Sequence, residues 1–72
     1  MAQAFPNLNK REHEILSLMA ARYTNTAIAS RLYLGPKTVR NYVSNIFTKL
    51  QVSDRPQATV RAREAGLGEN GG

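Results

Sequence analysis

Five polar residues set at helical spacing, Lys37, Arg40, Asn41, Ser44 and Thr48, hold the clearest chemistry of the chain. A guanidinium can bond the O6 and N7 of guanine in two-pronged fashion, a carboxamide can pair with N6 and N7 of adenine, and a hydroxyl serves several bases. Ammonium and hydroxyl groups also bond phosphate oxygens, which positions a protein on a duplex without reading its sequence. On the other side of the same stretch Val39, Val43, Ile46 and Leu50 recur at spacings of four, three and four, as one buried stripe requires. A helix with one side built for a core and the other for base edges and phosphates suits the major groove of DNA.

Arg40 is the first candidate for reading a base; its plain alternative is a solvated arginine on a helix face. Asn41 is short, so it reaches either a base or only a phosphate. Ser44 touches a base through water or merely leaves room. Lys37, Thr38 and Lys49 are expected to hold phosphates, the alternative for Lys49 being a charge kept for solubility. Tyr23, Tyr33 and Tyr42 are expected in the core or at its edge rather than as stacking platforms. Val39, Val43, Ile46 and Phe47 are packing residues. Glu12 and Arg55 have two readings: an ion pair tying the first helix to the later ones, or a capping role for Glu12 alone.

Catalysis finds little support. His13 is the single histidine, cysteine is absent, and no Ser or Thr has a base partner at a motif spacing. Glu12 and Glu14 stand two apart and do not face one another on a helix, and one histidine with carboxylates falls short of the usual zinc ligand set. No metal site, cofactor or small-molecule ligand is expected. Seventy-two residues with 42% hydrophobic content support one small core, without disulfide staples. The net charge of +5 favours a polyanionic partner, the plain alternative being ordinary solubility charge, and no membrane partner is expected. No apolar run approaches the about 18 residues of a membrane span and no signal peptide is visible, so a soluble, cytoplasmic protein is expected.

Those side chains must be positioned by helices. Residues 1–7 form a polar, proline-containing arm. Asn9 with Glu12 resembles a capping box and predicts a first helix from about Lys10 to Arg22, with Ile15, Leu16, Met19, Ala20 and Tyr23 inward. Thr24 caps a second, running from Asn25 to about Tyr33 and burying Ile28, Ala29 and Leu32. Gly35-Pro36 starts a third, from Pro36 to about Leu50, since proline suits the first helical position. Ser53 or Asp54 caps a fourth that accepts Pro56 in its first turn, shows Ala58, Ala62 and Ala65 at helical spacing, and ends at Gly66. Residues 8–67 thus form an all-α, compact four-helix bundle containing a helix-turn-helix, and residues 68–72 a disordered tail.

In order and distance, several spaced motifs resemble the LuxR-type helix-turn-helix domain. They are Asn9-Lys10-Arg11-Glu12-His13-Glu14-Ile15-Leu16, Asn25 with Ile28-Ala29 and Leu32, Thr38-Val39-Arg40, Val43, Ile46, Lys49-Leu50, Val52, Arg55, Ala58 and Ala65-Gly66-Leu67. The likeness spans about Leu8 to Leu67. It implies that the third helix enters the major groove and the fourth supports dimerisation. It places base contact on Arg40, Asn41 and Ser44, and phosphate contact on Asn25, Lys37, Thr38 and Lys49. The small face of Ala58, Ala62 and Ala65 would admit a partner helix, unless it packs onto the first helix instead. The chain departs from the family where Gly often stands at Arg22, Glu at Ala27, His at Tyr42 and a polar cap at Gly35-Pro36.

The expectation is therefore a sequence-specific binder of double-stranded DNA in a bacterial transcriptional regulator of the response-regulator, two-component type. It would act as a homodimer on two-fold related half-sites, with RNA polymerase as a further candidate partner. The rival is a helical protein-interaction module that docks on another regulator or on RNA polymerase and has only non-specific affinity for DNA.

Overall fold

In a computed structural model, residues 5–68 are described; most of the expected arm and tail, residues 1–4 and 69–72, lies outside them. Four helices follow in order: α1 (Lys10–Ala20), α2 (Asn25–Leu32), α3 (Pro36–Leu50) and α4 (Arg55–Glu64). No strand occurs among the described residues.

Each start is written in a side chain or a proline. At α1 the capping box forms in full: Asn9 Oδ1 accepts from the Glu12 N–H at 2.8 Å, and the Asn9 N–H donates to Glu12 Oε1 at 2.9 Å. Thr24 Oγ1 accepts from the Ala27 N–H at 3.1 Å, and Asp54, rather than Ser53, caps α4 by accepting from the Gln57 N–H at 3.0 Å. At α3 Gly35 supplies no side-chain cap, and Pro36 supplies a preset φ.

All four helices end alike. A left-handed residue follows the last turn: Arg22 (φ 73°), Tyr33 (φ 59°), Gln51 (φ 58°) and Gly66 (φ 89°). The next N–H then reaches back to the last turn, Tyr23 to Leu18, Leu34 to Ala29, Val52 to Phe47 and Leu67 to Ala62, at 2.9–3.1 Å. This is the Schellman arrangement, and its apolar partner residue is present each time: Tyr23, Leu34, Val52 and Leu67 all pack half-buried against the core. Glycine occupies just one of the four left-handed positions. The first two helices stop at Ala20 and Leu32, short of the expected Arg22 and Tyr33, because those two residues themselves take the left-handed conformation.

The core joins Leu8, Ile15, Leu16, Met19 and Ala20 to Ile28 and Ala29, to Val39, Val43, Ile46 and Leu50, and to Ala58 and Ala62. The expected stripe on α3 is buried throughout its length. Removing a core methylene cluster such as Ile46 or Leu16 would cost about 2–5 kcal/mol, comparable to the whole stability of so small a domain.

Both ends of the described chain are held. Phe5 packs against the core, and Asn7 Nδ2 donates to the Lys49 carbonyl at 3.2 Å. Gly68, expected in the tail, sits where a Cβ would lie 2.5 Å from that of Ala20, so the described chain stays against α1 one residue beyond Leu67.

Candidate nucleic-acid interface

Helix α3 is the longest of the four at 15 residues. Its inner stripe is locked into the core, which fixes the direction of everything opposite. Lys37, Thr38, Arg40, Asn41, Ser44, Asn45 and Thr48 are all exposed. At about 100° per residue, Asn41 and Thr48 stand near the middle of the outer arc, Ser44 and Asn45 about 50° to either side, and Arg40 at its flank. Arg40 therefore needs its length to reach what Asn41 faces directly. Asn45 was missed in the sequence reading. Counting its position round the helix from Val43 and Ile46, rather than following the i, i+4 row from Arg40, would have found it.

Charge reinforces the geometry. From Ile15 to Ser53 the chain contains five cations (Arg22, Arg31, Lys37, Arg40 and Lys49) and no carboxylate. That interval contains all of α2 and α3. Among the described residues the Lys37 and Arg40 side chains make no hydrogen bond or ion pair within the domain, as is also true of Lys10 and Arg22, whereas several other basic groups are engaged. Arg11 meets Glu14 at 3.5 Å, and the Arg31 guanidinium lies 5.3 Å from the Tyr23 ring centroid.

The outlying candidates are placed differently. Lys49 Nζ bonds Glu12 Oε1 at 2.8 Å, and its carbonyl takes the Asn7 bond. Asn25 is half-buried, and its Oδ1 accepts from Arg55 at 2.6 Å. Arg55 also donates to the Tyr23 carbonyl. Of the two readings of Glu12, the ion pair with Arg55 is replaced by two separate ties, Glu12 with Lys49 and Arg55 with the corner between α1 and α2, while the capping role holds. Glu12 serves as cap and ion-pair partner together. It is 3% exposed, and the Lys49 hydrogen bond holds its carboxyl below the ordinary range; burial opposes this, and the Asn9 N–H and the Lys49 charge assist it.

Ala58 and Ala62 are wholly buried, packed into the domain's own core, and Ala65 alone of the three is exposed. The small face of α4 therefore faces inward, and the outer side of that helix carries Gln57, Val60, Arg61 and Glu64. Tyr33 also departs from expectation: it is 95% exposed, while Tyr23 and Tyr42 sit at the core edge.

Four helices with this cap and corner pattern define a helix-turn-helix domain, and the chain belongs to the luxR family of bacterial regulatory proteins, whose profile matches residues 6–62. Among similar proteins, the transcriptional regulatory protein DegU of Brevibacillus brevis is 48% identical over 59 residues, covering 82% of this chain and 25% of DegU. The response regulator protein VraR of Staphylococcus aureus is 46% identical over 66 residues, covering 92% of this chain and 32% of VraR. The structure of the transcription factor GerE superposes with a TM-score of 0.73 at 38% identity, covering 89% of this chain and 92% of that one. The chain spans about a quarter to a third of the length of the curated relatives it matches.

Proposed function

We propose that this domain binds double-stranded DNA sequence-specifically, with α3 in the major groove, as part of a cytoplasmic bacterial transcriptional regulator of the two-component kind. The observation that carries the reading is the outer face of α3, whose Lys37, Arg40, Asn41, Ser44 and Asn45 are exposed on a helix clamped by its other side. Arg40, Asn41 and Ser44, with Asn45 added, would meet base edges, while Lys37 and Thr38 hold phosphates. Gly35 leaves the Lys37 and Thr38 N–H groups without a side-chain acceptor, which favours an anion at that end. Asn25 would contribute through the start of α2, and Lys49 through whatever its bond to Glu12 leaves free.

One such module makes few contacts, and a second copy on a neighbouring half-site multiplies them. A homodimer through α4 would use its outer side, where Val60 is 54% exposed, with Ala65 at the margin. The test is selection of binding sites from a random duplex pool at moderate salt and high protein density. An enriched inverted repeat is expected. Retention without enrichment would leave a basic helical domain, and would move the reading toward docking on another regulator or on RNA polymerase.

A further inference from the structure

Tyr33 has no internal reason for its place. It occupies a left-handed backbone conformation at φ 59°, where glycine or asparagine would be comfortable and an aromatic residue is strained. Packing does not offset that strain, since 95% of the residue faces solvent. Its neighbours behave otherwise: Leu34, next in the chain, packs on the core, and the Tyr23 ring receives Arg31. Lys37 is four positions further along the chain than Tyr33, so the two backbones lie within about 14 Å of each other. Both belong to the acid-free interval from Ile15 to Ser53. An exposed phenol at the corner that leads into α3, in a stretch of chain that supplies cations and no carboxylate, is a neutral donor available to an anionic acceptor.

We infer that the Tyr33 hydroxyl donates a hydrogen bond to a DNA phosphate next to the one held by Lys37, a further backbone contact that rests on the duplex-binding reading above. The corner between α2 and α3 then positions the domain along the strand while α3 reads the groove. Because the phenol is uncharged, it releases no counterion on binding, and its contribution adds affinity without adding to the salt slope.

The test uses the full chain with Tyr33→Phe and Tyr33→Gly, thermal melts, and titration of both a selected site and a random duplex across a salt series. Tyr33→Gly should melt higher than the parent, because the strain is gone, and yet bind both duplexes about tenfold more weakly. Tyr33→Phe should melt like the parent and show the same loss on both duplexes, with the salt slope unchanged. Lys37→Ala is the contrast, since it should flatten the slope by about one. Parental affinity in Tyr33→Phe overturns the phosphate contact, even if Tyr33→Gly is weak. If the parent chain itself fails to bind any duplex at low salt, the duplex-binding reading falls, and with it this contact.

Discussion

Helices α3 and α4 are both basic, yet their cations are disposed in opposite ways. On α4 the arginines turn back into the protein. Arg61 donates to the Leu50 carbonyl at 3.2 Å, Arg63 to the Ala20 carbonyl at 2.8 Å, and Arg55 to Asn25 and the Tyr23 carbonyl. Two of these acceptors lie at or beside the C-terminus of α1 and one at that of α3, where helix dipoles present partial negative charge. On α3 the Lys37 and Arg40 side chains make no hydrogen bond or ion pair among the described residues. The net charge of +5 thus mixes cations that hold the fold with cations left for a partner, and composition alone cannot separate them. What separates them is whether a backbone carbonyl lies within reach.

Two substitutions would break that contrast if it is wrong. Arg55→Ala removes a half-buried guanidinium with two acceptors, so it should lower stability by about 2 kcal/mol and the melting temperature by roughly 10 °C. Measured well below its melting point, it should still bind DNA. Arg40→Ala should do the reverse. Its melting temperature should stay near the parent's, since exposed substitutions change stability by under about 0.5 kcal/mol, while affinity for a selected site falls by about 1–3 kcal/mol and affinity for random duplex falls less. An Arg40→Ala protein that melts early, or an Arg55→Ala protein that folds normally but releases DNA, would reverse the assignment of the two helices.

Much of this arrangement is legible in the amino-acid order, and the reason is local. The α3 stripe from Val39 to Leu50 has one period, so its buried side follows directly, and Asn9 with Glu12 is a cap whose two bonds need no third partner. The pairings that sequence reading missed are long-range. Glu12 has two basic candidates, Lys49 and Arg55, and only the packing of α1 across the end of α3 decides for Lys49. The alanines of α4 fit either a partner helix or α1, and burial decides for the domain's own core. Tyr33 was expected indoors from its aromatic ring; its exposure follows from a left-handed corner that no glycine marks.

Lys49 blurs the contrast, because it lies on α3 but behaves like the α4 arginines. Glu12→Gln measures how far. The Lys49 hydrogen bond holds the Glu12 carboxyl below its unfolded value, so its contribution is present above that value and fades as pH falls through the lower, folded one. Lys49 is 37% exposed and can return to water, so the loss at neutral pH should be about 1 kcal/mol, less than for a fully buried pair. Chemical unfolding across a series from pH 7 into the acid range checks the sign: the difference between parent and variant should be largest at pH 7 and shrink as the carboxyl takes up its proton. A difference that does not shrink with falling pH would mean that shape, not charge, makes Glu12 necessary.

The smallest effect sharpens the comparison most. Gln51 shares with Tyr33 a left-handed backbone and an exposed side chain, but it follows the last turn of α3, at the opposite end from Lys37. Exposure and strain alone would make the two positions equivalent. If strain is the whole account of Gln51, Gln51→Gly should stabilise the domain by about 0.5–1 kcal/mol, raise its melting temperature by a few degrees, and leave duplex affinity untouched. An affinity loss in Gln51→Gly as large as that in Tyr33→Gly would show that loosening either end of α3 weakens its hold on the groove. The polar face of α3 would then depend on both corners being stiff, and not on the phenol at one of them.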